Sequence, residues 1–274
     1  AALLVDHVVE VDLPQVVVAD TQLALARIAN GLQRDRNGTV VAITGSNGKT
    51  SVKTLVHSIL QLAGNTYLNP GNRNNEIGLP LAVIDAPDDA DFAIYEMGAG
   101  KPGDIAYLTD IVTPQVALVN NVAPAHLERM GSLMGIAETK GAIYTALPAD
   151  GVAVINADDA FGAYFAERAS GNRLLRFGLE ASADVTARDV RTSAEGSQFT
   201  LLTPQGEVAI TLPLPGRHNV LNAIAAASLA LACGVSLSTI AEGLAAVQPV
   251  PGRQIARDLG NGVVLVDDSY NANP

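Results

Sequence analysis

Val40-Val41-Ala42-Ile43-Thr44-Gly45-Ser46-Asn47-Gly48-Lys49-Thr50-Ser51 is the stretch on which the fold turns. Four apolar residues and a threonine run into a turn bounded by Gly45 and Gly48, and Gly-Lys-Thr-Ser then opens an amphipathic segment. The expected local structure is a buried strand, a phosphate-cradling loop and a helix N-terminus. Glycine admits backbone conformations that a Cβ obstructs, and the N–H groups of a first helical turn favour an anion. Lys49 is expected to reach the outer phosphates of a nucleotide, and the Thr50 hydroxyl to ligate Mg²⁺. The usual spacing G-x-x-x-x-G-K-[ST] would need glycine at position 43, where Ile43 stands, so this loop is a shortened relative. The bland alternative is a tight strand–helix turn with a surface lysine.

The chain has 274 residues, enough for one large domain or two modest ones. A hydrophobic content of 48% with 16% charged residues describes a globular α/β protein rather than a disordered one. The formal charge of −11, with no compensating basic run, argues against nucleic acid as a main partner. A lone Cys233 excludes an intrachain disulfide and fits a reducing cytosol; the residue itself reads as a small buried hydrophobe. No stretch reaches the roughly 18 uninterrupted apolar residues of a membrane span, and no secretory signal stands at the start. The expected location is the cytoplasm. The chain opens on Ala1-Ala2-Leu3-Leu4-Val5 and stops at Asn273-Pro274, directly after a polar cluster, so both ends read as cuts in something longer.

Outward from the quoted stretch, strand and helix patterns alternate. Short apolar strands are expected around Leu3–Val5 and Gln15–Ala19, then a helix capped by Asp20-Thr21 and ending between Gly31 and Asn37. The polar run Gln33–Asn37 is the expected domain boundary. A helix over Ser51–Ala63 places Val52, Leu55, Val56, Ile59 and Leu60 on one face, with Gly64 as its stop. Asp91–Glu96, Val116–Asn120, Val152–Asn156 and Val263–Asp267 read as near-continuous apolar strands, the signature of a mostly parallel sheet with helices on both faces. Asn222–Ala232 and Ser238–Val247 read as helices. Residues 183–214 alternate in period two, with turns at Glu195-Gly196 and Gln205-Gly206, and predict a small antiparallel sheet.

The apolar strands end in polar groups: Thr44, Glu96, Asn120-Asn121, Asn156 with Asp158-Asp159, and Asp267-Asp268. Ligands of open parallel sheets bind off the carboxyl ends of the strands. Carboxylates and amides beside a phosphate loop are what a Mg–nucleotide site needs, because Mg²⁺ takes a few hard oxygen ligands and keeps several waters. Taken singly, Asp and Asn at strand ends are also ordinary turn formers, and Asp158-Asp159 are read that way.

Thr44-Gly45-Ser46-Asn47-Gly48-Lys49-Thr50, Glu96-Met97-Gly98, Asn120-Asn121 with His126-Leu127, Lys140-Gly141, Gly216-Arg217-His218-Asn219 and Asp268 together resemble the Mur ligases. These are ATP-dependent amide ligases that build the peptide of bacterial peptidoglycan. Gly71-Asn72-Arg73-Asn74-Asn75-Glu76-Ile77-Gly78-Leu79-Pro80 and Asp267-Asp268-Ser269-Tyr270-Asn271-Ala272-Asn273-Pro274 look like the branch that adds D-alanyl-D-alanine to a UDP-N-acetylmuramoyl-tripeptide. The resemblance covers about 38–274 as the central ATP-binding domain. Residues 1–37 resemble the end of the family's N-terminal UDP-substrate-binding domain with its linker, and the C-terminal domain has no counterpart. A chain of this extent is expected to be inactive alone.

The resemblance implies phosphorylation of the substrate carboxylate to an acyl phosphate, which an incoming amine displaces. It implies that Gly45 to Ser51 bind nucleotide, with Lys49 on the β- and γ-phosphates. Thr50 and Glu96 would hold one Mg²⁺. His126 and Lys140 would serve a second, Lys140 after carbamylation by CO₂. Without the resemblance, His126 reads as a loop residue and Lys140 as a solvated helix face. His218, Asn219 and Asn222 match the adenine side, where an amide offers both donor and acceptor; Asn219 reads equally as a helix N-cap. Arg253 matches a phosphate-side arginine and Asp268 a ribose-binding aspartate. Asn74, Asn75 and Glu76 fit the loop that meets the peptide substrate. The implied partners are the two substrates, acting on a monomer. A sister ligase, such as the one that adds the third amino acid or folylpolyglutamate synthase, and a nucleotide-binding module without turnover are the competing readings. A purely structural protein has no need of Lys49, Glu96 and Asp268 together at strand ends.

Overall fold

The apolar runs at 40–44, 92–96, 116–119 and 152–156 pair as parallel strands buried on both faces, a condition that helices above and below a sheet satisfy. The computed structural model describes residues 2–124, 127–248, 255–258, 260 and 263–267. The chain begins with β1 (Leu3–Val5), β2 (Gln15–Val17), α1 (Thr21–Arg34), β3 (Thr39–Thr44), α2 (Lys49–Leu60), β4 (Thr66–Leu68) and α3 (Gly78–Asp85). It continues with β5 (Phe92–Glu96), α4 (Asp104–Val112), β6 (Val116–Val119), α5 (Leu127–Met130), α6 (Leu133–Thr145), β7 (Val152–Asn156), α7 (Gly162–Arg168) and β8 (Arg173–Phe177). Last come β9 (Thr186–Thr192), β10 (Ser197–Thr203), β11 (Gly206–Leu212), α8 (Arg217–Ala232), α9 (Leu237–Ala245), β12 (Ile255–Asp258) and β13 (Val264–Asp267).

The main sheet has the order β4-β5-β3-β6-β7-β8, parallel throughout. Successive residues of β3 serve opposite faces. Val41 and Ile43 join a core with α2, α8, α9 and the small sheet, whereas Val40 and Ala42 join one with α1, α3, α4, α6 and α7. Asp20 caps α1 by accepting from the Leu23 amide (2.9 Å), and Ala26 and Ala29 are buried in the second core. The small sheet is antiparallel, in the order β11-β10-β9. Among the described residues no helix is long and apolar enough to cross a membrane.

Two expectations need correction. The run ending in Asp267 is not a strand of the parallel sheet: β13 pairs antiparallel with β12 as a separate two-stranded ribbon. Sequence periodicity marks a strand but not its partner. The edge strands β4 and β8 were not anticipated, since one has three residues and the other reads Arg-Leu-Leu-Arg-Phe, with charges between the apolar positions.

Candidate functional site

The loop after β3 stands at the centre of the sheet, between the carboxyl ends of β5 and β6. Gly48 has φ +75°, and a Cβ there would lie 2.6 Å from Asn120 Nδ2 and 2.8 Å from Asn222 Oδ1. Conformation and crowding both demand glycine. The two asparagines that follow β6 hold the loop. Asn121 Oδ1 accepts from the Asn47 amide (2.8 Å), and the Nδ2 groups of Asn120 and Asn121 donate to the Asn47 carbonyl (3.0 and 3.1 Å). The Ser46 hydroxyl donates to the Ala123 carbonyl and accepts from the Ala123 amide. Gly48 is also the N-cap of α2 and brings no capping side chain to the first turn, which contains Lys49, Thr50 and Ser51.

Two lysines converge on one carbonyl. Lys49 Nζ donates to Gly45 O (2.8 Å) and Ser46 O (3.2 Å), and Lys140 Nζ donates to the same Gly45 O (3.0 Å). Lys140 belongs to α6 and is only 4% exposed, which overturns its reading as a solvated helix face. Burial, and secondarily the Lys49 charge, bring its pKa down to about 7. Near neutral pH a large share of Lys140 is therefore the free amine.

On the other side of the loop, Thr50 Oγ1 donates to Glu96 Oε2 (3.0 Å). Asn74 Nδ2 donates to Glu96 Oε1 (3.1 Å), and buried Lys53 lies 3.3 Å from Oε2. A hydroxyl and a carboxylate side by side are hard oxygen donors that suit Mg²⁺. Among the described residues no group of three or more His, Cys, Asp or Glu side chains could hold a metal.

A cavity of about 400 Å³ opens beside the loop and both of its lysines. Gly45, Ser46, Lys49 and Lys140 line it together with Asn74, Asn75 and Glu76. Residues 98–101, Asp104, Tyr107, Leu108 and Arg129 complete the wall. Asn75 Oδ1 accepts from the Gly78 amide (2.7 Å), so this side chain also closes the turn into α3. Lys53, Tyr107 and Arg129 were missed at the sequence level. The Tyr107 hydroxyl is buried with no hydrogen-bond partner among the described residues, and an unpaired buried hydroxyl is costly unless a ligand completes it. For Lys53 the signal was present: a charge inside the apolar stripe of α2, four residues after Lys49.

On the far side of the loop, Asn222 accepts from Asn120 Nδ2 (3.3 Å) through Oδ1. Gly216, not Asn219, is the N-cap of α8; Asn219 lies within the helix and donates back to the Pro215 carbonyl (2.7 Å). His218 is exposed beside it. Asp158 and Asp159 do more than form a turn: Asp159 accepts locally from the Phe161 amide, but it also accepts from the Val122 amide, and Asp158 accepts from the distant amides of Leu179, Glu180 and Ala181. His126, Arg253, Asp268 and the Tyr270–Pro274 ending lie outside the described residues.

The UDP-N-acetylmuramoyl-tripeptide–D-alanyl-D-alanine ligase of Escherichia coli (strain K12) is 44% identical over 273 residues, 99% of this chain and 60% of that protein. MurF from Acinetobacter baumannii superposes with a TM-score of 0.94 at 36% identity, covering 98% of this chain and 59% of that one. MurF from Thermotoga maritima, solved in complex with ADP, gives 0.87 at 30% identity, covering 99% and 62%. The chain thus spans about 60% of the length of such relatives. The family model described as the Mur ligase middle domain matches residues 43–230, from the end of β3 to α8. That match takes in the loop, both lysines and Glu96, and the chain belongs to the Mur ligase family through this middle domain.

Proposed function

We propose that this chain is the nucleotide-binding and carboxylate-activating part of an ATP-dependent ligase that joins D-alanyl-D-alanine to a UDP-N-acetylmuramoyl-tripeptide in the cytoplasm. The observation that carries the reading is the shared cavity. Its wall combines a backbone anion seat and two lysines with the Asn74–Glu76 loop, so a phosphoryl donor and a peptide carboxylate can meet inside it. The curated relative that bears this activity in its name supports the choice of substrates.

A carboxylate is a poor acyl donor because its leaving group would be oxide. Attack by a carboxylate oxygen on the γ-phosphorus releases ADP and leaves an acyl phosphate. The amine of D-alanyl-D-alanine then adds to the acyl carbon, loses a proton, and expels inorganic phosphate. The protein's task is positioning and charge neutralisation. Lys49 and the amides at the start of α2, Gly48 to Ser51, would hold the β- and γ-phosphates, while the Ser46 and Asn47 amides are tied to Asn121. Thr50 and Glu96 would hold Mg²⁺, which when bound neutralises charge on the transferring oxygens. His218, Asn219 and Asn222 are on the side assigned to the adenine. Arg253, Asp268 and His126 keep the nucleotide and second-metal roles that the family resemblance implies. Lys140, with its free amine, suits attack on CO₂ with loss of a proton, which turns a cation into a carbamate beside the phosphates. Residues 1–37 are proposed as the tail of the UDP-substrate domain and its linker, and residues 38–274 as the ATP-binding domain.

The test uses a protein that carries this chain at the length of its relatives. ADP release should require both substrates together. Turnover of ATP with neither substrate, or with a folate and glutamate in their place, would overturn the assignment.

A further inference from the structure

One turn beyond Lys49, α2 buries a second lysine. Lys53 is 3% exposed among Val52, Leu55, Val56 and Ile59. An ammonium has three donors and no acceptor, and a buried one is tolerated only when they are used. Lys53 Nζ donates to the carbonyls of Asn69 (3.2 Å) and Gly71 (3.1 Å) and stands 3.3 Å from Glu96 Oε2. Two of these acceptors belong to the loop between β4 and α3. The third is the carboxylate read above as a Mg²⁺ ligand.

The same loop meets β5 by other bonds. Asn69 Oδ1 accepts from the Glu96 amide (2.9 Å), and Asn69 Nδ2 donates to the carbonyls of Arg73 (2.9 Å) and Glu96 (3.2 Å). The Gly98 amide donates to Asn74 O (2.8 Å), and Asn74 Nδ2 reaches Glu96 Oε1. Asn74 and Asn75 face the cavity. Any shift of this loop is therefore felt at Glu96, and Lys53 is a charge that touches both.

We propose that Lys53 is a positioning residue that couples the metal side of the nucleotide site to the loop bearing Asn74 and Asn75. The inference rests on the reading of Glu96 as a Mg²⁺ ligand. A divalent cation at Thr50 and Glu96 draws on the oxygen that Lys53 faces, so two cations share one carboxylate and repel each other. Lys53 thus acts in two opposed ways: it weakens the hold of Glu96 on a cation, and it fixes the substrate loop. By linkage, metal–nucleotide binding and occupation of the loop alter each other's affinity by the same factor.

Lys53→Met and Lys53→Gln, made in the protein at the length of its relatives, separate these effects; glutamine keeps a donor but not the charge. Amide hydrogen exchange of residues 69–78 in metal-free protein should quicken about tenfold or more in Lys53→Met, and less in Lys53→Gln, with β3 and β6 unaffected. The KM for the peptide substrate should rise about tenfold while the KM for ATP moves less than about threefold. Mg²⁺ titrated against a fluorescent ATP analogue should bind as tightly as in the parent, or more tightly, in both variants. Unchanged loop exchange overturns the proposal, as does a loss of Mg²⁺ affinity in step with a general fall in Tm, which marks a structural brace. If the parent does not ligate D-alanyl-D-alanine, the functional reading fails by itself, and exchange and Mg²⁺ titration still decide the role of Lys53.

Discussion

Gly45 offers one carbonyl oxygen to two ammonium groups, and the more buried of the two gives way. Lys140 loses affinity for its proton first through desolvation and second through the Lys49 charge, which brings its pKa to about 7. In the unfolded chain it returns to about 10.5. Between those values the unfolded state binds the additional proton, so this residue makes stability rise with pH. Below about pH 7 both states are protonated and the full cost of the buried charge is present. Lys140→Met should therefore gain stability over the parent most strongly near pH 6, in metal-free, CO₂-free buffer. The gain should shrink by up to about 1.4 kcal/mol per pH unit above neutrality. Urea denaturation at about pH 6 and about pH 9 measures it, and a difference independent of pH would refute the account. Little of this was legible in Glu138-Thr139-Lys140-Gly141, because burial of a helix face depends on what packs there. The loop itself was legible: Gly45, Gly48, Lys49 and Thr50 carry their chemistry in local spacing.

At the scale of elements, α2 is held in place by close packing as much as by its loop. Gly243 of α9 approaches so near that an added Cβ would lie 2.5 Å from Ile59 Cα and 2.8 Å from the Ser58 carbonyl. Ser58 Oγ donates to the Gly243 carbonyl (2.6 Å), which pins the two helices at that point. Gly243→Ala must push them apart and should cost about 1–3 kcal/mol, the usual range for overpacking. A fall in Tm with secondary structure kept checks this; an unchanged Tm would show that the helices separate freely. The apolar stripe of α2 and the alanine-rich α8 were readable from period and composition, because both are buried by local pattern. The contact through Gly243 was not, since a glycine within Ile240-Ala241-Glu242-Gly243 carries no sign of its partner. β13 shows a different gap: an apolar run declares a strand but not its partner, and here the partner is the neighbouring β12, whose Ile-Ala-Arg-Asp carries little apolar signal of its own.

The molecule as a whole gathers its site from many separated segments: β3 with α2, the loop before α3, the end of β5, and side chains of α4, α5 and α6. The sequence marked the strand-end contributions, since polar residues that close apolar runs stand out. It did not mark Tyr107 or Arg129, which enter from helices with ordinary patterning. The cavity they line is walled in part by exposed side chains, among them Lys101, Arg129 and Asn75. A nucleotide seated at Gly45–Thr50 would gain from this wall only what these 274 residues provide, whereas relatives bring about 40% more of their length. Bound ligand stabilises a fold by RT ln(1 + [L]/Kd), so thermal shift reports how much of the seat is present. With Mg-ATP at a concentration that saturates the longer protein, the 274-residue chain should shift by less than a third as much, and it should release no ADP with both substrates supplied. An equal shift in the two proteins would show that nucleotide affinity resides wholly in this domain. Ligation by the short chain would show that the cavity described here is a complete active site.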